Sequence, residues 1–331
     1  MIGTVMGMIM GAGLLVIALV LDALVGDPPR LWGRLGHPVV WIGALIDRAD
    51  RWLNRERWPE PVRRVLGAVA LAALVALAGG VGWGLEVAAA RLTGGALLVV
   101  LVVTVFLAWR SLADHVAAVP QALDAPGDEA GRLAAGRRAT AMIVGRDTRP
   151  LDRAGLCRAA IESLAENYAD GVMGPALAFL VGGLPGLLIY KTVNTADSMI
   201  GHRTPRHRAF GWAAARTDDL LNLVPARLTA LLIALAAGTR GLRALATAWR
   251  DAGRHLSPNA GWPEAAMAGA LGLALGGPRR YGAETVDGAW FGDGRAQAET
   301  ADVHRALALT GRAHLILGAA AGTLASAPFL L

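Results

Sequence analysis

The stretch from Val65 to Ala90 limits what this chain can fold into more than any other: it is apolar, interrupted only by glycines and by Glu86 near its end. A hydrocarbon layer takes about 20 apolar residues in a helix to cross, and every backbone N–H and C=O inside it must be satisfied, so the run reads as a membrane-spanning helix. After Arg91-Leu92-Thr93-Gly94 the apolar sequence resumes from Gly95 to Trp109, which predicts a helical hairpin with a very short outer loop. An earlier run, Met6 to Val25, has no charged amino-terminal region and no small-residue cleavage pattern before Asp27, so it reads as a retained helix rather than a cleaved signal. Composition agrees with these runs: of 331 residues 54% are hydrophobic and 18% charged, and mean hydropathy is +0.45. A disordered chain and a basic nucleic-acid-binding domain are excluded, and no nucleic acid partner is expected. Cys157 is the one cysteine, so no intrachain disulfide can form.

Arginines divide the chain further. The segments of about 26–64 and 110–170 are rich in arginine and by the positive-inside rule belong in the cytoplasm, with the amino terminus outside. Within the first, Trp41, Ile42, Leu45, Ile46, Ala49, Trp52 and Leu53 fall at helical spacing opposite Asp47, Arg48, Asp50, Arg51 and Asn54. Two readings fit this pattern: a helix lying in the membrane interface, and an amphipathic helix packed on the rest of the protein.

The run from Gly171 to Tyr190 is apolar but holds Gly174, Pro175, Gly182, Gly183, Pro185 and Gly186. An interior proline costs a helix about 3 kcal/mol, so a broken or re-entrant segment is expected, with a kinked span as the plainer alternative. Shorter apolar runs follow at Leu223–Gly238, Glu264–Gly277 and His314–Leu331. The predicted class is an all-α, polytopic integral membrane protein with about four to six membrane segments, one of them broken or re-entrant. It is expected as a single membrane-embedded domain over 1–331, in the cell inner membrane, with a polar catalytic region over about 144–222 facing the cytoplasm.

Three clusters could carry chemistry. Arg158, Glu162, Glu166 and Asp170 recur every fourth residue, so a helix would line a guanidinium and three carboxylates along one face. Such carboxylates can hold Mg²⁺, and the same pattern also describes a solvated surface with an Arg158–Glu162 pair. Beyond the broken segment, Lys191, Asn194 and Asp197 recur every third residue beside Ser198; Lys191 is the only lysine among 32 basic residues. It either reaches back to the membrane boundary or binds a phosphate. Arg216, Asp218, Asp219 and Asn222 form the third group, in which two adjacent aspartates cannot share one helical face; they serve either as a cap at a helix start or as metal ligands. The sequence holds no G-x-x-x-x-G-K-[ST] loop, no H-E-x-x-H helix and no C-x-x-C pair, so a nucleotide would bind in a non-standard way.

These clusters sit among motifs that resemble the adenosylcobinamide-phosphate synthase family of cobalamin biosynthesis across nearly the whole chain. The resemblance rests on Gly26-Asp27-Pro28-Pro29-Arg30, His37-Pro38-Val39, Val144-Gly145-Arg146-Asp147-Thr148, Ile161-Glu162-Ser163 with Glu166-Asn167 and Asp170-Gly171-Val172. It continues through Tyr190-Lys191, Asn194-Thr195, Asp197-Ser198-Met199, Asp218-Asp219 and Ser257-Pro258-Asn259-Ala260-Gly261-Trp262-Pro263-Glu264. It implies an ATP-dependent ligation joining a carboxylate of adenosylcobyric acid to the amine of aminopropanol or its O-phosphate, with Mg²⁺ as the metal, ATP as cosubstrate and the corrinoid as substrate. Residue chemistry then suggests Glu162, Glu166, Lys191 and Asp197 as catalytic groups. Arg146, Arg158, Asn167, Asn194, Ser198 and Arg216 are candidates for binding substrate or nucleotide phosphate, and Asp170, Asp218 and Asp219 for holding metal. Expected partners besides the substrates are membrane lipids and other cobalamin-assembly enzymes. A transporter or a scaffold for corrinoids is the competing reading. If the stripe ending at Asp170 and the group starting at Lys191 serve one purpose, both ends of the broken segment must lie on the same side of the membrane.

Overall fold

The computed structural model describes residues 2–202, 204–277, 279–281, 284–286 and 288–327. Its helices, in chain order, are α1 (Ile2–Val25), α2 (Pro29–Leu35), α3 (Pro38–Leu53), α4 (Glu60–Arg91), α5 (Gly95–Phe106), α6 (Trp109–Leu123), α7 (Glu129–Ala141) and α8 (Arg153–Tyr168). A π-helical turn, Ala169–Met173, leads into α9 (Gly174–Ile200), and there follow α10 (His207–Phe210), α11 (Trp212–Leu221), α12 (Leu223–Ala236), α13 (Gly241–Asp251), α14 (Gly261–Leu271) and α15 (Thr300–Ser326). Strands are confined, among the described residues, to two short antiparallel ribbons, Leu275–Gly276 with Trp290–Phe291 and Arg279–Tyr281 with Glu284–Val286. Four helical stretches are long and apolar enough to cross a membrane (Glu60–Arg91, Gly95–Leu123, Arg153–Ile200 and Thr300–Ser326), and two bent pairs bring the number to six. The chain is thus an all-α, multi-pass membrane protein. The closing helix begins at Thr300, well before the expected start at His314.

The contacts divide the chain into two compact units. The first comprises Met1–Ala108, Gly174–Asn222 and Ala320–Leu331; the second comprises Trp109–Met173 and Leu223–Ala319.

In the first unit α4 and α5 form the expected hairpin. Gly94 takes φ +84 in the turn, and a side chain at Gly95 would overlap the Ala89 carbonyl, so only glycine allows this loop its tightness. α4 packs on α9 and α10 through small residues: a Cβ at Gly82 would sit 2.6 Å from Pro185 of α9, and one at Gly67 would overlap the carbonyl of Phe210 in α10. Lipid tails are as apolar as leucine, so close backbone approach, rather than expulsion of water, holds such helices together. Ile46, Ala70, Leu71, Val193, Ala196, Ile200, Phe210, Ala213 and Ala214 form the core there.

α3 differs from both sequence readings taken singly. Trp41, Leu45 and Trp52 are exposed, as an interfacial helix requires, but Ile46 is fully buried, and Asp50 and Asn54, expected on the solvated face, are buried too. Asp50 accepts from Asn54 Nδ2 (2.6 Å) and from Arg206 (2.6 Å), and Asn54 in turn accepts from Arg63 Nε at 2.7 Å. Buried charge must be paired, so these polar residues anchor the helix to its neighbours while its tryptophans face outward.

The broken segment is a helical hairpin. At Gly183 the backbone takes φ 60 and ψ −151, a region open essentially to glycine alone. Before and after it the two arms run back alongside each other. A Cβ at Gly174 would overlap the Tyr190 hydroxyl, and one at Gly186 would overlap the Ala178 carbonyl, whereas Gly174 and Tyr190 would be about 24 Å apart in a straight helix. Pro185 does not carry the expected cost: it is the second residue after the break at Gly183, where a missing N–H is no loss, whereas Pro175 follows directly on the π-helical turn of a continuing helix. Glu86 of α4 completes the tip by accepting from the Leu184 N–H at 2.9 Å, the bond an N-cap side chain would supply.

The second unit is built around α14, whose residues from Pro263 to Leu271 are all buried. α13 approaches closely because position 269 is glycine: a Cβ there would sit 2.6 Å from Thr247 Oγ1. Asp251, fully buried at the end of α13, accepts from Arg250 at 2.7 and 2.8 Å and from the Gly292 N–H at 2.8 Å, and forms an ion pair with Arg254 at 3.1 Å. The Arg250 guanidinium, with the Gly292 N–H and the charge of Arg254, holds its carboxyl below the ordinary carboxylate range against the opposing effect of burial.

Candidate functional site

The candidate residues gather in two places, one in each unit. In the second unit, α8 carries Glu162, which is 4% exposed. Its Oε2 pairs with Arg146 at 2.8 Å, and its Oε1 accepts the Gly276 N–H at 2.7 Å. Both oxygens are therefore engaged, one by a guanidinium and one by a glycine in the left-handed region (φ +84). Arg158 lies one turn earlier, but its guanidinium sits over the Trp290 ring, 5.4 Å from its centre, and donates to the Ala296 carbonyl instead of to Glu162. The evenly spaced stripe also fails at its far end. Glu166 is half-buried on α8, and Asp170 falls inside the π-helical turn, where the wider winding breaks the four-residue register. Asn167, exposed, donates to Ser163 Oγ and to the Ser163 carbonyl, both at 2.9 Å.

In the first unit the returning arm of α9 carries Lys191, Asn194, Asp197 and Ser198. Lys191 is only 9% exposed, so it does not reach out to a membrane boundary. Asn194 donates to Asp218 Oδ1 at 3.3 Å, while Asn222 donates to Asp218 Oδ2 at 3.0 Å and accepts from the Tyr190 hydroxyl at 2.7 Å. Tyr190, Asn222, Asp218 and Asn194 thus make one continuous polar network among apolar helices. Asp197 lies near enough for its charge to act on Asp218. Ser198 is exposed, and its hydroxyl is turned back onto the Asn194 carbonyl at 2.9 Å. The two adjacent aspartates part as their spacing requires. Asp218 faces inward to Asn222, and Asp219 faces Arg216 at 3.4 Å, so Arg216 and Asn222 are separated rather than shared by one aspartate.

For a metal, the arrangement supplies hard oxygen donors but no complete cage: among the described residues no three His, Cys, Asp or Glu side chains gather closely enough to hold an ion. Mg²⁺ usually takes one or two carboxylates and completes its shell with phosphate oxygens and water. The neighbouring Asp197 and Asp218 fit that requirement.

Chain-wide comparison says which family has these features. A family model described as CobD/CbiB protein matches residues 15–310. The chain belongs to the CobD/CbiB family. Among curated CobD/CbiB-like relatives, a protein of Rhizobium meliloti named "Cobalamin biosynthesis protein CobD" is 52% identical over 305 residues, covering 89% of this chain and 90% of the relative. A Brucella suis protein of the same name is 51% identical (88% and 90% covered), and one of Rhodobacter capsulatus 47% (91% and 93%). No solved structure matches this CobD/CbiB chain.

Several polar groups of the CobD/CbiB chain escape a reading of its sequence for chemistry. Glu86, the cap of the hairpin tip, appears there only as an interruption of an apolar run. Asn259 and Glu264, 6% and 1% exposed, lie with His255 around the start of α14, where His255 Nε2 stands 3.8 Å from Glu264 Oε1. The motif containing them is visible in the sequence; their burial is not.

Proposed function

We propose that this chain catalyses the ATP-dependent joining of adenosylcobyric acid to aminopropanol or aminopropanol O-phosphate, forming adenosylcobinamide or its phosphate in cobalamin biosynthesis. The reading draws on the family and on its relatives' names. The observation that carries it to particular residues is a lysine buried on the returning arm of α9, beside an Asn194–Asp218–Asn222–Tyr190 network. An ammonium gathered with carboxylates and amides at one place is a point charge suited to a nucleotide phosphate.

The chemistry asks for little else. A carboxylate is a poor acyl donor. Attack of a corrinoid carboxylate oxygen on a phosphorus of ATP would break one phosphoanhydride bond and leave an acyl phosphate. The amine nitrogen then attacks the acyl carbon, the C–O bond to phosphate breaks, and the nitrogen's proton passes to a base. Lys191 is assigned to phosphate charge, and Asp197 with Asp218 to holding Mg²⁺, which when bound offsets charge on the phosphates. Asn194 and Asn222 fix the orientation of the Asp218 carboxylate, and Asp219 holds Arg216 near the exposed end of α11. In the second unit Glu162 sets the direction of the Arg146 guanidinium, a second phosphate-binding group. Glu166 and Asp170, half-buried and close to a helix end, are the base and metal candidates there, and Arg158, Asn167 and Ser198 are substrate-binding candidates. A membrane-embedded site also limits water, which protects an acyl phosphate from hydrolysis. We assign the protein to the inner membrane with this chemistry facing the cytoplasm, where the arginine-rich segments lie by the positive-inside rule.

Purified protein incubated with adenosylcobyric acid, aminopropanol or its phosphate, and Mg-ATP is expected to release the corresponding cobinamide with one ATP consumed per amide formed. Corrinoid binding with neither product nor ATP consumption would overturn the reading in favour of a scaffold. Corrinoid flux into vesicles without amide formation would overturn it in favour of a transporter.

A further inference from the structure

A second concentration of positive charge lies in the second unit, away from the residues given roles above. A cavity of about 340 Å³ opens between the Gly238–Arg240 turn, the end of α14 and the face of α15. Three arginines line it: Arg240, Arg305 and Arg312, with Thr239 beside them and the apolar wall formed by alanines and leucines. Arg305 and Arg312 are seven residues apart on α15 and so share one face of it.

The three are held differently. Arg305 is fixed: one nitrogen donates to Asp302 Oδ1 and another to the Leu271 carbonyl, both at 2.9 Å, the second bond satisfying an otherwise open carbonyl at the end of α14. Asp302 also pairs with Arg295 at 2.6 Å and accepts the Glu299 N–H at 2.8 Å, capping α15, so its single charge is already shared. Arg240 and Arg312 are exposed and make no hydrogen bond or ion pair among the described residues. Three guanidiniums around one small space repel one another, with only a shared aspartate to offset them. An anion entering that space relieves the repulsion, and a tetrahedral phosphate offers each planar fork two acceptor oxygens.

We infer that this cavity binds a phosphate-bearing ligand through Arg240, Arg312 and the prefixed Arg305. The phosphate has two sources. α15 is itself apolar enough to cross a membrane, and its arginines lie in its amino-terminal half, which suits a lipid headgroup; the cavity's size suits the phosphate end of a soluble molecule equally. The inference stands apart from the ligase reading, whose phosphate groups are Lys191, Arg146 and Arg216.

The test uses the full chain. In neutral detergent it is titrated with magnesium-free pyrophosphate, and in nanodiscs of phosphatidylcholine its retention of added phosphatidylglycerol is measured by native mass spectrometry. Wild type, R240Q, R312Q and the double variant are compared, with Lys191→Ala as the control for the site described earlier. Each single variant is expected to weaken one arm about tenfold and the double variant to weaken it further, while Lys191→Ala leaves that component unchanged. Loss confined to the lipid arm assigns a headgroup site, and loss confined to pyrophosphate assigns a soluble ligand. Binding by wild type in neither arm, or equal binding by wild type and the double variant in both, overturns the inference. Because the two side chains are exposed, R240Q and R312Q should keep the wild-type thermal midpoint; should the double variant not fold, the single variants decide in the same way.

Discussion

α4 and α9 are both long, apolar and rich in glycine, yet one crosses as an unbroken helix and the other turns back on itself. In α4 the glycines leave room: Gly67 and Gly82 admit the backbones of Phe210 and Pro185, and the helix passes through them without a break. In α9 one glycine changes the path of the chain. Gly183 takes a conformation closed to other residues, the next two residues are the start of a new helix, and Glu86 of α4 caps it. The difference teaches that glycine content does not break a helix. The break here combines a glycine with a proline two residues on, tolerated at a helix start, and a partner for an N–H group freed by the break.

The largest effect tied to this comparison should come from the polar side of the returning arm, which α4 lacks. Lys191→Ala is expected to lower turnover in the ligation assay by about 10²-fold or more while the protein remains folded, by the scale of other charged groups at developing phosphate charge. Full activity in that variant would remove Lys191 from the site. Next comes Gly183→Ala, which forces an alanine into a region costing roughly 1–3 kcal/mol and pushes its methyl into Glu86. A short bifunctional thiol reagent should link cysteines placed at Gly174 and Tyr190 in an otherwise cysteine-free protein; efficient linking in the Gly183→Ala background would mean that the turn does not depend on glycine.

Glu86→Ala removes the acceptor at the hairpin tip and should destabilise by about 1–2 kcal/mol, read from thermal unfolding in detergent. An unchanged midpoint would show that water or lipid headgroups replace it. The smallest effect, and one of opposite sign, is expected at Gly80 of α4, where no atom lies within 4 Å of an added Cβ. Gly80→Ala should stabilise by up to about 1 kcal/mol through helix propensity alone. Destabilisation there would mean that α4 needs flexibility that its straight path does not suggest.

Much of this was legible beforehand. Apolar length marked the spans because a bilayer imposes its thickness on any helix that crosses it, and Gly182-Gly183 with Pro185 marked the break because both residues act on the local backbone. The stripe from Arg158 to Asp170 was less legible. Its spacing is real, but Arg158 finds Trp290 and Ala296, Glu162 finds Arg146 and Gly276, and the π-helical turn moves Asp170 out of register. Partners 16 to 138 residues away cannot be read from a period of four. The helix from Pro38 to Leu53 makes the same point: its amphipathic pattern is correct, yet Asp50 is buried because Arg206 and Asn54 meet it.

By itself, then, the sequence determined that this is a helical membrane protein, where the hairpin of its first half lies, that a later apolar segment is broken, and which residues carry charge beside it. Those properties follow from the thickness of the bilayer and from local backbone sterics, which depend on composition and neighbours in the chain. Only the tertiary structure decided which charges are buried and what each one meets: Lys191 drawn inside, Asp218 divided from Asp219, Glu86 at the hairpin tip, and the three arginines around one cavity. Burial and pairing depend on contacts between segments far apart in sequence, and it is those contacts, rather than residue type, that set whether a charge is solvated, structural or available for chemistry.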